Sequence, residues 1–125
     1  MKNLGLPKSA LIRKSDEYRR LYRQGRRVRG DNFALVYRLA EQRPPAEATG
    51  PRLGISVSGV RSAVRRNRLK RLIREFFRLR RPQLDPQLEL VFTVRRDFKP
   101  DSPAAIAAAL RRPITGRREL AGLAS

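Results

Sequence analysis

The sequence contains no cysteine, no histidine and no tryptophan, and its 11 acidic residues stand against 30 basic ones. Without cysteine there is no disulfide framework and no thiolate metal site, a composition compatible with a reducing cytoplasm. Without histidine the commonest general base and the commonest metal ligand are both missing, so intrinsic chemistry would fall to carboxylates, lysine or tyrosine. The 11 carboxylates are scattered along the chain and form no evident metal-binding cluster, which leaves no parts for a two-metal phosphodiester site. No apolar run approaches the ~18 residues of a membrane span. The amino terminus lacks an apolar stretch followed by a small-residue cleavage site. A glycine-rich phosphate loop, an internal repeat and a coiled-coil heptad are absent too. These absences predict a cytoplasmic protein with no membrane partner and no metal or catalytic centre of its own.

What is present is charge. In 125 residues, 40% are hydrophobic and 33% charged, enough apolar material for one domain spanning 1–125 with a single core. Residues 1–14, broken by Gly5 and Pro7, and residues 114–125 are predicted to be loosely ordered. The net charge of +19 is the electrostatic footprint of a nucleic-acid binder, with a membrane surface the weaker alternative. Five of the 30 basic residues are lysine and the other 25 are arginine, the side chain that forks onto phosphates and stacks on bases.

The stretch 61–81, R-S-A-V-R-R-N-R-L-K-R-L-I-R-E-F-F-R-L-R-R, has helical period. At 100° per residue Leu69, Leu72, Ile73, Phe76, Phe77 and Leu79 form an apolar stripe, and Asn67, Lys70, Arg71, Arg74, Arg78 and Arg81 lie opposite. Burying the stripe would hold Asn67, Arg71, Arg74 and Arg78, at i, i+4, i+7 and i+11, as a rigid row. Such a row suits backbone phosphates. The plainer reading, a solvated helix face, has to tolerate strong self-repulsion, because Glu75 is the one acidic residue in the stretch.

Elsewhere the pattern is mixed. Ser15, Asp16 and Glu17 signal a helix start with a hydroxyl cap and acids near the positive end of the dipole. The helix is predicted to end at Gln24, with Gly25 as a left-handed terminator. Tyr18, Leu21 and Tyr22 share its face, so the tyrosines either pack in the core or offer stacking platforms for unpaired bases. Residues 25–30 read as a basic turn, and 31–39 and 52–60 as strands with period two. Small residues Gly54, Ser56 and Ser58 on one face of the second strand favour close approach of a helix of the same domain. The proline-rich residues 41–51 read as a loop, 88–94 as an interior strand and 104–112 as a short helix ending at Pro113.

The composite Gly54-Ile55-Ser56-Val57-Ser58, Ala63-Val64, Arg66-Asn67-Arg68 and Lys70-Arg71-Leu72-Ile73-Arg74-Glu75, followed by Phe76-Phe77-Arg78, resembles the bacterial ribonuclease P protein family. Residues 11–39 and 90–96 are similar to its amino-terminal portion and last strand. The resemblance implies an α+β fold: a small two-layer α/β sandwich whose helices lie on one side of a four-stranded sheet, with the basic helix in a left-handed βαβ crossover. It implies a partner, the catalytic ribonuclease P RNA, and a substrate, precursor tRNA, whose 5′ leader the RNA removes with Mg²⁺ that it mainly holds itself; no further protein partner is required. It assigns Arg61, Arg66, Asn67, Arg68, Lys70, Arg71 and Arg74 to the RNA subunit, and Tyr18 and Tyr22 to a leader cleft that either Phe33 or Tyr37 completes. Between Ser58 and Ala63 the family's basic pair is missing, and Arg61 is the one charge there. A ribosomal RNA-binding protein, an architectural DNA-binding protein and a protein-only nuclease remain as alternatives.

Overall fold

A computed structural model of the chain describes residues 6–40 and 50–124. Helix α1 (Ser15–Gln24) leads into strands β1 (Arg26–Gly30) and β2 (Phe33–Leu39), and then β3 (Arg52–Ser58), helix α2 (Ala63–Arg80), β4 (Leu88–Arg95) and helix α3 (Pro103–Arg111) follow. Short 3-10 turns occupy Lys8–Ala10, Arg81–Gln83 and Arg118–Ala124. The strands form one mixed sheet in the order β1-β2-β4-β3. The pairs β1/β2 and β2/β4 are antiparallel, and β3 and β4 run parallel on either side of α2 in the chain. The α+β class, the four-stranded sheet and the βαβ unit built on the basic helix match expectation.

Alternation along the strands divides the apolar residues between two faces. On one face Leu35 and Tyr37 of β2, Leu53 of β3 and Leu90, Phe92 and Val94 of β4 meet Leu69, Ile73, Phe76 and Phe77 of α2 and Ile106 and Leu110 of α3. Phe33, Phe76 and Phe98 all pack against Phe92, with ring centroids 5.8 to 6.2 Å apart. On the other face Val36 and Val91 meet Ile12 and Leu21, with Tyr18 and Tyr22 partly buried beside them. Helices α2 and α3 therefore share one side of the sheet as expected. Helix α1 departs from that arrangement and covers the other side, because Val36 and Val91 leave an apolar patch there for Leu21 to bury.

Several local expectations change. Residues 26–30 are a strand: only Val28 of R-R-V-R-G is buried, so the apolar signal is one residue long, and the arginines guard a sheet edge against pairing with another chain. Ser15 is inside α1, whose N-cap position is Lys14 without a side-chain cap bond. Gly25 has φ −83°, an ordinary value. Its requirement is space, since a Cβ there would lie 2.7 Å from the Leu21 carbonyl oxygen. The left-handed residue of this region is Asn32, φ 63°, in the two-residue turn between β1 and β2. Leu79 leaves the apolar stripe and is 47% exposed, because 3.6-residue periodicity carries it past the buried side of α2.

The ends are better packed than their composition suggested. Ile12 donates its N–H to the Leu53 carbonyl, 2.8 Å, extending the β3 edge. Ile114, Leu120 and Leu123 are buried in the main core, so the tail from 114 closes over α2 and α3 by apolar burial. Most of the loop read at 41–51 and the first five residues of the amino-terminal arm lie outside the described residues.

Candidate nucleic-acid interface

Helix α2 is held by its apolar side and started by Ser62, whose hydroxyl accepts a hydrogen bond from the Arg65 N–H. Fixing it this way leaves Asn67, Arg68, Arg71 and Arg74 exposed and Lys70 half-buried, and among the described residues none of these side chains has a hydrogen-bond or ion-pair partner. The solvent side of α2 is thus an uncompensated cationic row that no other described part of the fold covers. Two predicted members behave differently. Arg66 turns back and donates from Nη1 to the carbonyls of Val60, 2.8 Å, and Arg61, 3.0 Å, clasping the turn that precedes the helix. Arg78 is paired with Glu75 through two hydrogen bonds. Arg61 itself is exposed.

Across the β3 edge, Arg13 and Tyr18 face Lys70 and Arg74 over a hollow of about 310 Å³ floored by Leu53 and Ile55. The Tyr18 hydroxyl accepts from the Ile55 N–H at 3.1 Å and donates to the Ile55 carbonyl at 3.5 Å, so the phenol closes an edge that would otherwise be open. Burial raises its pKa above the ordinary value, against the lowering effect of the Ile55 N–H bond to its oxygen, and the phenol stays a neutral donor and acceptor. The close approach needs Gly54, where a Cβ would lie 2.9 Å from the Tyr18 ring. The small-residue face of β3 thus receives a helix of the same domain, as its pattern indicated.

One turn further along α1, Tyr22 is half-buried with its ring centroid 6.4 Å from that of Tyr18. Arg27 lies over the Tyr22 ring at 5.7 Å and donates to its carbonyl at 3.2 Å. Tyr22 and Arg27 border a groove of about 420 Å³ with Arg29, Phe33, Thr93 and Arg95 on its other walls. Cations and two tyrosines therefore run from the α2 row, past α1, to β1. A half-buried ring beside a guanidinium can stack an unpaired base while the arginine takes its phosphate.

The structure separates the two strand aromatics. Tyr37 is 1% exposed on the α2 side of the sheet, and its hydroxyl accepts from Arg117 Nη1 at 3.1 Å, so it does not line the groove. Phe33 belongs to the same core and reaches the groove at its edge. Register decides this: on β2 the residues facing α1 are Ala34, Val36 and Arg38, a parity that the sequence presents without saying which face holds the cleft. Arg13, Arg27, Arg29 and Arg95 join the site without belonging to any motif, and their signal in the sequence is only the local basic composition of the amino-terminal stretch, of 26–29 and of the cluster at 95–99.

A partly buried ion network ties α1 to the sheet. Glu89 of β4, 8% exposed, takes Arg38 Nε at 2.9 Å, and Arg52 Nη1 bridges Glu89 at 3.5 Å and Glu17 of α1 at 2.8 Å. Hydrogen bonding to Arg52 lowers the Glu17 pKa below its ordinary 4.5, against a smaller opposing effect of burial. A carboxylate with a depressed folded-state pKa stabilises the fold above its unfolded value, and that contribution is lost as pH falls through the folded value. Glu17→Gln is therefore expected to melt below the native protein at pH 6, with the gap closing as pH is lowered from 5 towards 3. A gap that stays constant over that range would remove the Glu17 charge from the account.

Among the described residues no three His, Cys, Asp or Glu side chains come together to hold a metal, and no helix is long and apolar enough to cross a membrane. The fold and a good part of the sequence are similar to known proteins. The family described as Ribonuclease P matches residues 6–116. The chain is 43% identical to the ribonuclease P protein component of Desulfotalea psychrophila over 88% of each chain. It is 40% identical to that of Nitrosomonas eutropha over 81% of each. The solved Staphylococcus aureus RNase P protein superposes with a TM-score of 0.72 at 26% identity, covering 90% of this chain and 98% of that one. With a matched segment that contains α1, the whole sheet and the cationic helix, the chain belongs to the ribonuclease P protein family.

Proposed function

We propose that the chain serves as the non-catalytic protein subunit of ribonuclease P in the cytoplasm, binding the catalytic RNA through α2 and the 5′ leader of precursor tRNA along the α1 groove. The observation that carries this reading is the uncovered row of Asn67, Arg68, Lys70, Arg71 and Arg74 running into a tyrosine-lined groove. Phosphates of the RNA subunit neutralise the row, and the charge repulsion that the free protein bears is relieved on binding. The groove, about 420 Å³ and bordered by the half-buried Tyr22 ring, takes unpaired nucleotides of the leader, and in this way distinguishes a tRNA that carries a leader from one that does not. Arg61 adds a further phosphate contact, and Arg66 contributes by holding the turn that presents Arg61. Mg²⁺ is held mainly by the RNA, a reading supported by the lack of any three carboxylates that come together among the described residues. The protein supplies charge neutralisation and substrate selection.

Reconstitution with a bacterial ribonuclease P RNA at low Mg²⁺ tests this directly. Adding the chain is expected to restore 5′ processing of precursor tRNA that the RNA alone performs poorly, while the chain alone with Mg²⁺ cleaves nothing. Cleavage by the chain free of RNA, or no effect on the RNA's activity, would overturn the reading.

A further inference from the structure

The tail after α3 carries a second concentration of arginine that neither the α2 row nor the α1 groove uses. Arg111, Arg112, Arg117 and Arg118 fall within eight residues, with Glu119 the one acidic neighbour in sequence. Arg111 and Arg112 close α3, where the negative end of the helix dipole favours cations, but that explanation stops there. Arg117 and Arg118 lie beyond the turn at Gly116, φ +83°, which swings the chain back. The side chains of Arg111, Arg112 and Arg118 are exposed and have no partner among the described residues. Arg117 is fixed in place by the Tyr37 hydroxyl at 3.1 Å and by the Tyr37 ring at 5.9 Å.

These side chains surround a hollow. It measures about 400 Å³, with Arg111, Arg117 and Arg118 on its rim and Ile114, Ala121 and Ala124 forming an apolar floor. A cationic rim over an apolar floor fits a nucleotide, whose phosphate takes the guanidinium forks while sugar and base lie against the floor.

The location separates this surface from the one on α2. Lys70 and Arg74 stand over Leu53 and Ile55 of β3, at one edge of the sheet. Arg117 stands on Tyr37 of β2, two strands away from β3 and next to the opposite edge. At about 4.8 Å per strand those two positions are roughly 10 Å apart in the sheet. That spacing is comparable with the Debye length of about 8 Å at physiological salt, so each cluster is largely screened from the other and can take its own phosphates. The sheet also stands between this hollow and the α1 groove, since Tyr37 faces away from α1.

We propose that Arg111, Arg112, Arg117 and Arg118 form a second RNA-binding surface, which grips a different phosphate segment of the RNA subunit from the one held by α2. This rests on the ribonuclease P reading for the identity of the RNA. Two contacts on one rigid body raise the effective concentration of each for its own segment, so the protein staples two parts of the folded RNA together.

The test compares two triple variants of the full chain, Arg111→Ala/Arg112→Ala/Arg118→Ala and Arg68→Ala/Arg71→Ala/Arg74→Ala, for binding to ribonuclease P RNA across a salt series with hydroxyl-radical footprinting. The tail variant leaves Arg117 on Tyr37, and its thermal melt is expected to stay within a few degrees of the native one, the lost favourable charge at the α3 C-terminus being set against relieved repulsion. Its affinity is expected to fall roughly 10-fold and its salt slope to become shallower by about 2. The protection that disappears is expected to lie in a different RNA segment from the one exposed by the α2 variant. An unchanged slope for the tail variant alone, or exposure of the same segment by both, overturns the second surface and leaves the α2 reading intact. Unchanged slopes for both variants overturn the RNA-binding reading itself.

Discussion

Replacing Arg68, Arg71 and Arg74 together by alanine is expected to weaken binding to ribonuclease P RNA by roughly 100-fold at physiological salt, taking about 1 kcal/mol for each arginine–phosphate interaction removed. The expectation follows from what these side chains do not do. They are exposed and unpaired among the described residues, so truncating them takes away no internal hydrogen bond. It also relieves repulsion in a chain of net charge +19, and the melting temperature is expected to hold or rise. Weaker affinity with full stability is the signature of a binding surface. The logarithmic salt dependence should become shallower by about 2 to 3, because fewer counterions are released on binding. A drop in affinity with an unchanged slope would mean that the arginines act through the protein's shape and not on phosphates. Arg66 is excluded from the set because its guanidinium is occupied by the Val60 and Arg61 carbonyls, and replacing it would mix a folding effect with a binding one.

That distinction is not visible in the sequence, where Arg66, Arg68 and Arg71 are equivalent members of a basic run. The helical period identifies the buried side of α2 correctly at Leu69, Ile73, Phe76 and Phe77, because burial of that side is the dominant energetic fact about the helix. It could not show which arginine would curl back onto a carbonyl, since that depends on the path of 59–62 before the helix. Strand β1 was hidden for a related reason. An edge strand buries one side chain in two at most, and in 26–30 the sole apolar residue, Val28, is too little to give a period. Strand β4 was plain because it is central and buried on both faces: Leu88, Leu90, Phe92 and Val94 are buried towards α2, and Val91 is buried towards α1 beside the paired Glu89.

The cleft was half legible for the same cause. Tyr18 and Tyr22 are four apart on one helix, so their common face follows from the sequence alone. Phe33 and Tyr37 have the right parity for each other, but whether that parity faces α1 or α2 is settled by the other strands. Leu53, Leu90 and Phe92 draw it to the larger core. The tail shows the reverse: Leu120 and Leu123 have no strong local pattern, yet both are fully buried because α2 and α3 leave an apolar surface for them to cover.

Tyr22→Ala is expected to weaken precursor tRNA binding to the assembled enzyme by roughly 5-fold to 150-fold, the range for removing one base stack of about 1–3 kcal/mol, and to leave mature tRNA unchanged. Tyr22 is the better probe of the two tyrosines. The Tyr18 phenol closes the β3 edge through both polar groups of Ile55, so truncating it disturbs the strand and cannot separate fold from function. Tyr22 has no hydrogen bond through its hydroxyl among the described residues, and its neighbour Arg27 keeps its bond to the Tyr22 carbonyl, which survives the substitution. The effect is therefore confined to the ring and to the cation–π contact at 5.7 Å. Comparing the two substrates cancels any general weakening of the complex, because a looser α1 lowers affinity for both alike. Equal effects on both would return the ring to a packing role against Leu21 and Val36, whereas a deficit confined to the leader-bearing substrate locates the unpaired strand in the groove beneath α1.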